Sequence, residues 1–72
     1  MKIYAQNGKG IFEFENVFIP ENGPDNVIRV QGRSGNIHLL GEYIDEARAR
    51  GVLLDIKAAY HRGIKIFYMP LA

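Results

Sequence analysis

The side chains that could carry out chemistry are few. The chain has one serine, no threonine, no cysteine and two histidines, His38 and His61. Without thiols, neither a disulfide framework nor a thiolate zinc site can form. Ser34 sits in Gly32-Arg33-Ser34-Gly35, which superficially looks like a nucleophile elbow. The G-x-S-x-G pattern fails because residue 36 is asparagine, and the strand-to-helix setting of a large hydrolase sheet is missing. Ser34 reads more simply as a polar turn residue bonding its own backbone. His38 and Glu42 are four apart and would share a face if a helix began early, giving two metal ligands. A zinc site wants three or four protein ligands, and no third is in sequence reach. No metal, no cofactor and no catalytic residue is therefore expected, and the chain reads as a non-enzyme.

Two binding chemistries remain. Consecutive amides in Gly32-Arg33-Ser34-Gly35-Asn36 could form an anion nest, with Arg33 adding a bidentate donor. It is not a P-loop, which needs longer spacing and a Gly-Lys-Ser/Thr ending. A wider nucleic-acid reading gathers Arg29, Arg33, Ser34, Lys57, Arg62 and Lys65, with Tyr60 and Tyr68 as stacking platforms. Acid lies early, in Glu13, Glu15, Glu21 and Asp25, and base later. Yet the net charge is only +1 and the pI about 8.1, short of the value above roughly 9 usual for such a binder.

The elements that must position these residues have to fit into 72 residues, a single domain spanning 1–72. At 47% hydrophobic and 24% charged, the composition is globular. A chain this small buries only about 60% of its unfolded surface, so association would help it. Lys2–Ala5 alternates as a strand and runs into Asn7-Gly8, a hairpin signal. No apolar segment of signal-peptide or membrane-spanning length follows, so a cytoplasmic location is expected. Residues 11–19 form the strongest strand, with Phe12, Phe14 and Phe18 on one face and Ile11, Val17 and Ile19 burdening the other. Pro20 ends it, and 20–26 is loop. Val27–Gln31 is a strand with Ile28 and Val30 inward, and 37–39 a short return strand.

Leu40, Tyr43, Ile44 and Ala47 repeat at helical spacing, which predicts a helix over about 40–50 ending at Gly51. The stretch 52–63 admits two readings. As a strand it turns Val52, Leu54, Ile56 and Ala58 inward and hairpins through Gly63 into 64–69. As a helix it carries Leu53, Ile56 and Tyr60 as a stripe capped by Gly63. The cleaner alternation favours the strand. The expected fold class is α+β, a predominantly antiparallel sheet of five to six short strands with one helix across it, ββββαββ, with ββββααβ as the alternative.

The last strand is apolar on both faces: Ile64, Ile66 and Tyr68 on one, Lys65, Phe67 and Met69 on the other. Such a strand is covered twice or exposes a patch. This surplus predicts a protein interface carried by Leu53, Lys65, Phe67, Tyr68 and Met69, and self-association at micromolar concentration. The expected function is a small non-enzymatic interaction protein that binds and occludes a surface of a larger protein, as an inhibitor or regulator. The alternative is a small nucleic-acid- or nucleotide-binding module using the basic second half. In size and general appearance the chain resembles small phage-type accessory proteins.

Overall fold

The computed structural model describes all 72 residues. Six strands and one helix run in the order β1 (Lys2–Tyr4), β2 (Ile11–Glu13), β3 (Asn16–Phe18), β4 (Val27–Gln31), β5 (Ile37–Glu42), α1 (Glu46–His61) and β6 (Ile66–Tyr68). The α+β class with one helix stands. The strands make two three-stranded sheets. In the first, β1 is central, antiparallel to β2 and parallel to β6. In the second, β4 is central and antiparallel to both β3 and β5. The Gln6 amide joins the two sheets by donating to the Leu40 carbonyl at 2.8 Å.

The strand expected over 11–19 is broken at Phe14 and Glu15, where the chain leaves the first sheet for the second. The bend reverses the alternation. Phe12 and Phe14 pack against the core as expected, but beyond the bend Val17 is buried and Phe18 turns outward. Val17 pairs with the buried Val30, and Phe18 with Arg29 on the other face.

The helix is the main correction. Residues 40–42 belong to β5, with Ile28 opposite Gly41 and Val27 opposite Glu42. Of the apparent helical stripe, Ile44 is 89% exposed and Ala47 is exposed too, so that spacing marks no buried face. The helix starts at Asp45, whose extended backbone and side-chain acceptance from the Arg48 amide at 2.9 Å make it the N-cap. It then runs through Gly51 to His61 and takes up the stretch read as a strand. Ala49, Val52, Ile56 and Ala59 form its buried stripe. Burying that stripe outweighs the roughly 1 kcal/mol a mid-helix glycine costs. Gly63, at φ +77, ends the helix, and the Ile64 amide returns to the Ala59 carbonyl. Five strands thus precede the helix and one follows, where the sequence reading places four and two.

The core is one cluster drawn from every layer: Ile3 from β1, Val17, Ile28, Val30 and Leu40 from the second sheet, Ala49, Val52 and Ile56 from α1, with Tyr43 and Met69 closing it. At Gly41 a Cβ would stand 2.9 Å from the Tyr43 hydroxyl and 3.2 Å from the Met69 methyl, so the close approach of β5 requires glycine. Tyr43 is 4% exposed, and its hydroxyl donates to the Pro70 carbonyl at 2.9 Å. Burial pushes its phenol pKa upward, against an opposing pull from Arg48. The folded state therefore favours the neutral phenol. This contribution to stability is complete below about pH 10 and falls as pH rises through and beyond that value. Urea denaturation at pH 8 and pH 11 should show a steeper alkaline loss for the wild type than for Tyr43→Phe. Equal alkaline slopes would rule this contribution out.

Candidate interaction face

The ladder registers of the first sheet decide which side chains share its outer face. Ile3 stands between Phe12 on β2 and Phe67 on β6, and this row points into the core. The neighbouring rows therefore point outward. One is Ile11–Tyr4–Tyr68 and the other is Glu13–Lys2–Ile66. Ile11, Ile66 and Tyr68 are 56%, 45% and 66% exposed. The rings of Tyr4 and Tyr68 lie 4.8 Å apart, tilted by 39°. Past β6 the chain continues to Leu71, also exposed, and a shallow groove of about 400 Å³ runs between Tyr4, Tyr68 and Leu71. The face is apolar and aromatic, with one ammonium and one carboxylate in its second row. Lys2 makes no ion pair within the chain. Glu13 has only a 3.9 Å contact with the Met1 amino group.

Of the five residues expected at an interface, only Tyr68 lies on this face. Phe67 is half-buried and packs on the core. Met69 is 4% exposed and belongs to the core itself. The alternation along β6 is the one the sequence predicts, and of its two apolar faces the structure turns Phe67 and Met69 inward and Ile66 and Tyr68 outward. Pairing β6 beside Ile3 draws Phe67 inward, and the Met69 amide continues the ladder by donating to the Tyr4 carbonyl at 3.0 Å. Leu53 is half-buried on α1 against the core. Lys65 is exposed before β6, its carbonyl accepting from the Lys2 amide. Tyr4, Lys2, Glu13 and Ile66 were not singled out. Only the pairing of β1 with β6, strands from opposite ends of the chain, brings them together.

The residues of the nucleic-acid reading are spread over the molecule. Arg29 alternates with Ile28 and Val30, which pack with the helix stripe, so it lies on the far side of the second sheet from α1. Arg33 pairs with Glu15 at 3.0 Å. The Gly32 and Gly35 amides donate to carbonyls of their own turn, which leaves fewer donors for an anion beside Ser34. Lys57 and Arg62 are exposed at the C-terminal end of α1. Tyr60 stacks on Phe14 at 4.2 Å, which covers one ring face. His38 lies on β5 against Phe12 at 5.0 Å, and with Glu42 on the same strand the helical i, i+4 pair does not form. No group of three or more His, Asp or Glu side chains is close enough to hold a metal ion. No helix is long and apolar enough to cross a membrane.

Compared with known protein families, curated proteins and solved structures, the chain matches none. A functional reading therefore rests on the geometry of this face.

Proposed function

We propose that this chain is a non-enzymatic interaction module that docks through the outer face of its first sheet, its first occupant being a second copy of itself. The row Ile11–Tyr4–Tyr68 carries the reading. Tyrosine supplies large, rigid contact area with a polar tip and is enriched at interface cores. The adjoining Lys2 and Glu13 make the face self-complementary in charge. A copy turned over by a two-fold axis can set each ammonium near a carboxylate. The two outward rows supply six side chains, well below the roughly 20–30 residues a side of a standard interface, so the association is transient. The same face laid on a larger protein would occlude the surface it covers, which is how an inhibitor or regulator acts.

Sedimentation velocity between about 20 and 500 μM tests it. The expected result is a concentration-dependent shift from monomer toward dimer. The double variant Ile11→Lys, Ile66→Lys should stay folded and lose at least tenfold in association, because it places charge where apolar groups meet. A wild type that stays monomeric throughout, or a variant that dimerises unchanged, would overturn self-docking by this face.

A further inference from the structure

A second site adjoins the row of rings where the chain leaves β6, Gln6 and Leu71 lining the same groove as Tyr4 and Tyr68. Three side chains from separate parts of the chain converge on residues 70–72. Gln6, just past β1, donates through Nε2 to the carbonyls of Pro70 at 3.1 Å and Leu71 at 3.0 Å. The Tyr43 hydroxyl donates to the same Pro70 carbonyl at 2.9 Å. Arg48, in the first turn of α1, donates through Nε and Nη2 to the Ala72 oxygen at 3.1 and 2.9 Å. Every acceptor is main chain. The side chains of the segment contribute little beyond Pro70, since Leu71 is 83% exposed and Ala72 is exposed as well.

The donors are held by contacts that do not involve this segment. The Gln6 amide forms a reciprocal pair with the main chain of Glu42, accepting from its N–H at 2.9 Å and donating to its carbonyl at 3.0 Å. Nε2 thus has three acceptors for two hydrogens, so at least one hydrogen is shared. Tyr43 is fixed by core packing and by Asn26, whose carbonyl takes the Tyr43 amide and whose side-chain amide donates to the Tyr43 carbonyl. The Arg48 guanidinium lies 5.8 Å over the Tyr43 ring. Fixed donors, with an occupant recognised only through its carbonyls, describe a site that reads peptide backbone and is replaceable in its occupant.

We propose that Gln6, Tyr43 and Arg48 form a recognition site for an extended peptide main chain, filled within the molecule by residues 70–72 and open to a proline-containing segment from another protein chain. Proline suits the first position because no acceptor in the cradle awaits an amide N–H there, and its fixed φ holds the extended conformation. The tethered segment competes at an effective concentration in the millimolar range, so a free peptide has to be supplied at comparable concentration.

The test uses the full chain, isotope-labelled, titrated with the free pentapeptide Tyr-Met-Pro-Leu-Ala to about 10 mM and followed by NMR. The expected result is saturable shifts of the Gln6 side-chain amide and the Tyr43 ring, with the Leu71 and Ala72 amides moving toward free-chain values as they are displaced. Gln6→Ala, which loosens the tethered segment and the free peptide alike, should move the Leu71 and Ala72 amides toward free-chain values before any peptide is added. Arg48→Ala, at an exposed position, should do the same at Ala72 with the fold intact. Absence of any shift in the wild type at about 10 mM peptide would overturn the proposal, and so would Leu71 and Ala72 amides unmoved in both variants. Self-docking by the outer sheet face is read by sedimentation, so the two readings fail separately.

Discussion

Ile56→Ala is expected to remove much of the folded state near 37 °C, whereas Leu54→Ala leaves it nearly intact. Ile56 is fully buried on α1 at the centre of the core, and Leu54, two residues earlier, is 66% exposed. Truncating a buried isoleucine costs about 2–5 kcal/mol in lost transfer energy and residual cavity. A chain of 72 residues has roughly 4–10 kcal/mol of stability in all, so the higher end of that loss brings it close to zero. Alanine is the better helix former, so the loss at 56 reports packing and not propensity. At Leu54 the change should stay within about 0.5 kcal/mol. The pair also separates helix from strand. In a strand over 52–59 both side chains would point inward and both truncations would be severe. Urea denaturation of the two variants decides it, and losses of similar size would overturn the helical placement of this segment.

That contrast shows where the sequence was legible. β4 can be read locally because its last four residues alternate, with Ile28 and Val30 buried and Arg29 and Gln31 on the other side, although Val27 at its start is buried as well. The loop after Pro20 is equally local, whereas Gly63 caps a helix only in the reading that the alternation over 52–59 disfavours. The helix start was misread because Leu40, Tyr43, Ile44 and Ala47 mimic helical spacing while Leu40 is a buried strand residue. Asp45 followed by Glu46 was the available signal, a cap with an acid in the first turn. Gly51 misled further, since a glycine with open space around it can sit inside a helix that buries enough on its other faces. The candidate interaction face is legible only as a surplus of apolar strand faces. Which side of β6 turns outward depends on Ile3, more than sixty positions away, and no local pattern encodes a parallel pairing of that span. The Gln6 cradle left no sequence signal, because its acceptors are carbonyls that every residue has.

The outward side of β6 leads to the last expectation. Phe67→Ala should destabilise the monomer, and Tyr68→Ala should leave it folded while weakening its association. Phe67 packs half-buried against the core beside Ile3, so losing its ring should cost about 2–3 kcal/mol, below the range for a fully buried phenylalanine. Tyr68 touches Tyr4 across the ladder and is otherwise exposed, so its removal should cost the monomer about 0.5–1 kcal/mol, the worth of one aromatic pair. On the docking face the order reverses. Tyr68 is the aromatic side chain that stands furthest into solvent there, and its truncation should reduce association by about 2 kcal/mol, near thirtyfold. Phe67 reaches the interface only through the fold, so at temperatures where Phe67→Ala is still folded its association should match the wild type. Thermal melting beside sedimentation of both variants gives the four measurements. If Tyr68→Ala melted far below the wild type and Phe67→Ala did not, the two faces of β6 would have to be exchanged. If Tyr68→Ala kept full association, the row of Ile11, Tyr4 and Tyr68 would no longer account for docking.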